Sequence, residues 1–122
     1  MKADLTAEEN LRTACAIAGV DLPLARAHAA LESFGLAGRE RLPARALSQG
    51  QRRRVALSRL AASPAPLWIL DEPFAALDAV AAERVRVLIR EHLARGGLAV
   101  MTTHQDARID GAAVTELNLD AR

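Results

Sequence analysis

Lysine is almost missing from this sequence: Lys2 is the only one, and every other fixed cation is an arginine. A phosphate-gripping loop of the form G-x-x-x-x-G-K-[ST] needs a lysine at the end of a glycine loop. No glycine precedes Lys2, so these residues contain no such loop. Cysteine is equally scarce. Cys15 stands alone, which excludes an internal disulfide and a cysteine-based zinc site. Leu11, Ala14, Cys15 and Ala18 share one helical stripe, so Cys15 reads as a core residue. Tyrosine is absent, and phenylalanine and tryptophan together contribute 2% of the chain. The apolar half of the composition is instead aliphatic and rich in alanine, as suits closely packed helices against a small sheet rather than disorder. The formal net charge of +1 gives no general attraction to nucleic acid or anionic lipid. Nowhere does an apolar run approach the roughly 20 residues needed to span a bilayer. No apolar stretch follows Met1-Lys2-Ala3-Asp4, so the expectation is a chain without a secretory leader, in the cytoplasm.

What is present has a clear order. Thr6-Ala7-Glu8-Glu9 is a capping box that opens a helix reaching about Ala18, stopped by Gly19. Asp21 and Pro23 start a second helix with Leu24, Ala27, His28 and Leu31 on one face, ending near Phe34-Gly35. His28 reads as a packed or rim histidine, because no second ligand candidate stands near it. Gly38 and Pro43 break residues 38–46 into a loop. A third helix is predicted from Ser48 to about Ala62, followed by punctuation at Ser63-Pro64-Ala65-Pro66. Leu67-Trp68-Ile69-Leu70 is a continuous apolar run, as expected of a strand buried on both faces. A long helix follows from about Asp78 to Arg95, closed by Gly96-Gly97. Leu98-Ala99-Val100-Met101-Thr102 is a second strand, and the alternating Val114–Leu119 segment a third. The predicted class is α/β. Residues 1–62 form a helical subdomain ending in the third helix, and residues 63–122 a sheet-bearing part that shares little core with it.

Four short segments carry candidate chemistry. Ser48 and Gln51 form a second capping box with Gly50 inside the first helical turn. A helix N-terminus offers unpaired N–H groups and a positive dipole end to an anion, and Gly50 has no side chain to hold a phosphate away. The same residues also make a well-capped helix and nothing more. Asp71 and Glu72 follow the apolar strand directly, at the strand end where α/β proteins bind ligands. Two acids there can divide labour, one supporting a magnesium shell and the other taking a proton from water; solvated acids at a strand exit are the plain alternative. His104 follows the second strand and would reach the sheet edge that carries Glu72. Asp78, after Phe74-Ala75-Ala76-Leu77, can be simply a helix cap. Arg52-Arg53-Arg54 reads mostly as a solvated helix face.

Taken together, LSQGQRRRVALSRLAASPAPLWILDEPFAALD resembles the signature, Walker B and D-loop run of ABC ATPases. Met101-Thr102-Thr103-His104 resembles their switch histidine. Within that family, Leu5-Thr6-Ala7-Glu8-Glu9-Asn10-Leu11-Arg12, Ala65–Pro73 and Thr102-Thr103-His104-Gln105 resemble the ATP-binding subunits of the haem exporter in cytochrome c maturation. The resemblance covers essentially the whole chain. It implies a partial P-loop NTPase fold, with the helical subdomain followed by the C-terminal part of the parallel core sheet. It implies ATP and Mg²⁺ as cofactors. Ser48, Gly50 and Gln51 would face the γ-phosphate of an ATP held by an opposing subunit. Asp71 would support the magnesium, Glu72 would be the general base, Asp78 would lie at the dimer seam, and His104 would sense the γ-phosphate. One departure is Gln49, where the general pattern has glycine; it enlarges one side chain and leaves Ser48 and Gly50 in place.

The resemblance also implies partners: transmembrane transporter subunits and a second ATP-binding subunit, with no nucleic acid, at the inner face of the cell membrane. The missing phosphate loop allows two expectations. Either the chain is the C-terminal portion of an ATP-hydrolysing subunit, inactive by itself, or it is a non-hydrolytic module that lends its Ser48–Gly50 face to a partner's nucleotide.

Overall fold

The computed structural model describes residues 1–103. Helix α1 spans Ala7–Ile17, and the capping box forms as the sequence requires: the Glu9 N–H donates to Thr6 Oγ1 at 3.2 Å and the Thr6 N–H to Glu9 Oε1 at 3.0 Å. Two more N–H groups at this helix end, those of Ala7 and Glu8, donate to Leu42 and Glu40 carbonyls at 3.0 Å each, so the loop seals the helix start. Buried Asn10 completes the anchorage. Its amide donates to the carbonyls of Lys2, Leu5 and Thr6, and its carbonyl accepts from the Lys2 N–H.

Helix α2, Leu24–Ser33, starts without a side-chain cap, Pro23 being the residue before its first turn. His28 on α2 meets Glu8 on α1 through its Nε2, a rim contact that ties the two helices together. Helix α3, Gln49–Ser58, runs into a short 3₁₀ turn at Arg59–Ala61. Strand β1, Leu67–Asp71, leads to α4, Ala79–Ala94, and then to β2, Leu98–Thr102. The strands pair in parallel, with Leu67 opposite Leu98 and Asp71 opposite Thr102. This β–α–β unit is the arrangement read from the sequence; the Val114–Leu119 segment lies outside the described residues.

Two expectations need correction. Strand β1 alternates: Trp68 and Leu70 are buried, whereas Ile69 is 70% exposed and Leu67 49%. The described helices cover one face of the strand pair, so a continuous apolar run was no guide to burial on both sides. The helical part also shares its core with the sheet. Leu11, Leu31 and Leu36 belong to one buried cluster with Trp68, Val85 and Ile89. Helix α3 contributes Val55 and Leu57 to the same cluster. Each fully buried aliphatic side chain contributes about 2 kcal/mol, so joining the clusters matters to stability.

Candidate functional site

The β1 strand delivers Asp71 at its last position and Glu72 one residue beyond. Glu72 turns the chain sharply: its φ is 47°, in the left-handed region that costs a non-glycine residue about 1 kcal/mol or more. Several bonds hold it there. The Glu72 N–H donates to the Thr102 carbonyl at 2.9 Å, extending the β1–β2 ladder one residue past the strand. Thr102 Oγ1 donates to Asp71 Oδ1, and the Glu72 N–H also lies 3.3 Å from that hydroxyl. A second left-handed residue, Ala76 at φ 60°, closes the loop that leads to Asp78. Asp78 is the cap of α4, its Oδ1 accepting from the Ala81 N–H at 2.8 Å.

The α3 N-terminus approaches the same loop. Ser48 Oγ accepts from the Gln51 N–H at 3.1 Å, and Gln51 Oε1 accepts from the Ser48 N–H at 2.8 Å, completing the second capping box. A Cβ placed on Gly50 would lie 3.5 Å from the Ala76 carbonyl oxygen, so the first turn of α3 sits against the loop that follows Glu72. Ser48, Asp71 and Asp78 are exposed, and Gly50, Gln51 and Glu72 half-buried. His104 lies outside the described residues.

Arg53 was the residue missed. Its Nη2 donates to the Glu72 carbonyl at 2.6 Å and to the Asp71 carbonyl at 3.1 Å. Arg54 likewise donates to the Phe34 carbonyl at 3.1 Å. Of the three consecutive arginines only Arg52 is exposed, so the reading of a solvated face is corrected for the other two. Nothing in the local sequence separates them. Which arginine meets the acid turn depends on how α3 lies beside β1.

An exposed aspartate at a strand end suits a hard cation, and the Asp71 carboxylate has a second oxygen besides the one that Thr102 meets. Among the described residues no group of three or more histidine, cysteine or acidic side chains could hold a metal ion. A magnesium ion at Asp71 would therefore need oxygens from a bound phosphate or from water, which is how this cation is usually held. A cavity of about 390 Å³ opens beside α3, lined by Gln49, Arg52, Arg53, Ala75 and Ala76 together with Met1, Ala3 and Ala44. Neither acid nor Ser48 lines it, so the cavity is not where these groups converge.

A sequence model of the ABC transporter family matches residues 1–75, more than half of the chain. The chain belongs to the ABC transporter family. Among curated proteins it is 57% identical over 119 residues to the cytochrome c biogenesis ATP-binding export protein CcmA of Nitrosospira multiformis. That alignment takes in 98% of this chain and 58% of the relative. The protein of the same name from Nitrosomonas europaea is 53% identical, across 98% of this chain and 56% of its own length. The chain thus spans a little over half the length of these curated relatives. Among solved structures, a dimeric ATP-binding cassette in a post-hydrolysis state with ADP and phosphate superposes with a TM-score of 0.72. It is 27% identical, and the superposition covers 86% of this chain and 48% of that one. The family's P-loop NTPase architecture accounts for the order seen here, helices first and then a parallel strand–helix–strand unit. No described helix is long and apolar enough to cross a membrane.

Proposed function

We propose that this ABC-family chain is the signature-bearing and acid-bearing portion of an ATP-hydrolysing subunit that drives export for cytochrome c biogenesis, with haem as the exported molecule. The observation that carries the reading is the acid turn. Two consecutive carboxylates stand at the end of a parallel strand, the second on a backbone held in the left-handed region by bonds from β2 and α3. Residues 1–62 serve as the helical subdomain and residues 63–122 as part of the nucleotide-binding core.

In this reading Glu72 takes a proton from the attacking water, and Asp71 helps to hold Mg²⁺ beside the ATP phosphates. Magnesium, when bound, supplies charge neutralisation at the phosphate oxygens. Ser48, Gly50 and Gln51 present the α3 N-terminus to the γ-phosphate of an ATP carried by a second ATP-binding subunit. A helix start suits that anion because its free N–H groups and dipole both favour negative charge. Asp78 stands at the seam between the two subunits, and His104 senses the γ-phosphate. Transmembrane subunits receive the stroke, and the assembly sits on the inner face of the cell membrane. The export role draws on the names of the relatives, the haem cargo on the motif resemblance.

The test joins this chain to a phosphate-loop-bearing first half and measures turnover of Mg-ATP. The joined subunit is expected to hydrolyse ATP. The Glu72→Gln form should bind ATP and fail to turn it over, because an amide keeps the shape of the carboxylate and cannot accept the proton. Hydrolysis by that variant within a few-fold of the parent would remove Glu72 from the role of base.

A further inference from the structure

Helix α3 does two things that the family reading leaves separate. Its first turn carries Ser48 and Gly50, and its second turn carries Arg53, whose Nη2 grips the carbonyls of Asp71 and Glu72 at 3.1 and 2.6 Å. We propose that Arg53 is a positioning residue that ties the signature helix to the acid turn, setting where the Asp71 and Glu72 carboxylates stand.

The backbone gives the reason for such a tie. Glu72 holds a φ of 47°, which an acidic side chain does not adopt without support, and Ala76 repeats the strain four residues on. On one side Thr102 anchors the turn through the Glu72 N–H. On the other, the Glu72 carbonyl receives the shortest of the described arginine contacts to backbone. The two bonds clamp the same residue at its N–H and at its C=O, so its peptide planes are fixed from both ends. Arginine suits this place because the Nη2 carries two N–H donors, so a single nitrogen at the end of a rigid planar group can meet two neighbouring carbonyls. The Nε of Arg53 is buried with no hydrogen-bond partner among the described residues, a cost accepted in aiming the Nη2 at the turn. A movement of α3 toward or away from a phosphate at Ser48 would therefore reach the acid turn directly through Arg53, besides the approach of Gly50 to the Ala76 carbonyl. The roles of the carboxylates rest on the reading above, whereas the clamp itself does not.

Amide hydrogen exchange on the chain as it stands tests the clamp without any nucleotide, so failure of the ATPase reading would leave this result unaffected. Arg53→Met keeps the apolar stem and removes the donors; it should raise exchange at Glu72 and Ala75 by tenfold or more and leave Val85 and Ile89 unchanged. Arg53→Lys keeps a cation that can donate to the Glu72 carbonyl, and it should restore most of the protection. Combining Arg53→Met with Glu72→Gly should remove most of the extra effect, since glycine reaches positive φ at little cost and no longer needs the clamp. Unchanged exchange at Glu72 and Ala75 in Arg53→Met would overturn the proposal. So would equal loss in the Met and Lys forms, or full additivity with Glu72→Gly, because either would mark Arg53 as packing only.

Discussion

Trp68 on β1 and His92 on α4 lie face to face, with ring centroids 3.8 Å apart and planes 6° from parallel. His92 is buried, and its Nε2 meets the Leu98 carbonyl at 2.9 Å, so the same ring joins the first strand, the long helix and the start of the second strand. The stack is the seam of the β–α–β unit.

Gly97 closes over that seam. A Cβ added there would stand 2.4 Å from His92 Cε1 and 2.5 Å from Nε2, closer than unbonded atoms allow. Gly97→Ala should therefore push the ring off Trp68 and destabilise the fold by about 1–3 kcal/mol, the usual cost of overpacking. Trp68 is the only tryptophan, so its emission reports directly on the stack. Urea unfolding followed by that emission should show a lower midpoint and an altered folded baseline. An unchanged midpoint would mean that the ring moves aside freely.

Asp78 caps α4 by accepting the Ala81 N–H. Asp78→Ala should cost about 1 kcal/mol of stability, while Asp78→Asn should cost only a few tenths because asparagine caps about as well. Thermal melts of the two variants decide it. Equal loss in both would show that the carboxylate charge, and not the cap, is what α4 uses.

Stability should change with pH at both ends of the range, for different reasons. The Glu9 carboxyl lies below its ordinary value because it accepts the Thr6 backbone N–H and, secondarily, meets the Thr6 hydroxyl. A lowered folded value contributes stability above the free carboxyl range, and that contribution is lost as pH falls through about 4 and below. Cys15 behaves oppositely: burial pushes its thiol up, with Arg59 offsetting part of the rise. The folded state then holds the proton more tightly, so stability declines as pH climbs past about 8.5, where the unfolded thiol ionises. Denaturant midpoints measured from pH 3 to 10 should show both limbs. Glu9→Ala should make the acid limb shallower without removing it, because the Glu40 carboxyl is also held below its ordinary value by backbone N–H groups. Cys15→Ala should flatten the alkaline limb.

Nucleotide binding is a separate expectation. These 122 residues contain no glycine-rich phosphate loop with its lysine, and such a loop supplies most contacts to a triphosphate in P-loop enzymes. Calorimetric titration of the chain with Mg-ATP should give weak heats or none. A micromolar dissociation constant would show that the α3 N-terminus and acid turn hold the triphosphate unaided.

Much of the local structure of the candidate site was legible in the sequence because its signals are local. Thr6-x-x-Glu9 and Ser48-x-x-Gln51 fix helix starts through bonds that span three residues, and both form as read. The acid pair at the end of β1 and the cap at Asp78 follow from a short apolar run and its punctuation. Arg53 was not legible. Its partners are 18 and 19 residues away, and its neighbours Arg52 and Arg54 are chemically identical.

The sequence by itself determined the order of the described helices and strands and the residues that stand at each turn, since both depend on periodicity and on contacts within a few positions, while the family followed from the motif resemblance. Tertiary structure decided the rest. It placed Gly50 against the loop of Ala76, set Trp68 on His92, merged the helical part with the sheet in one core, and left Ile69 exposed. These outcomes depend on how α3 and α4 lie against β1, a matter of packing between side chains far apart in the chain, which no local pattern encodes.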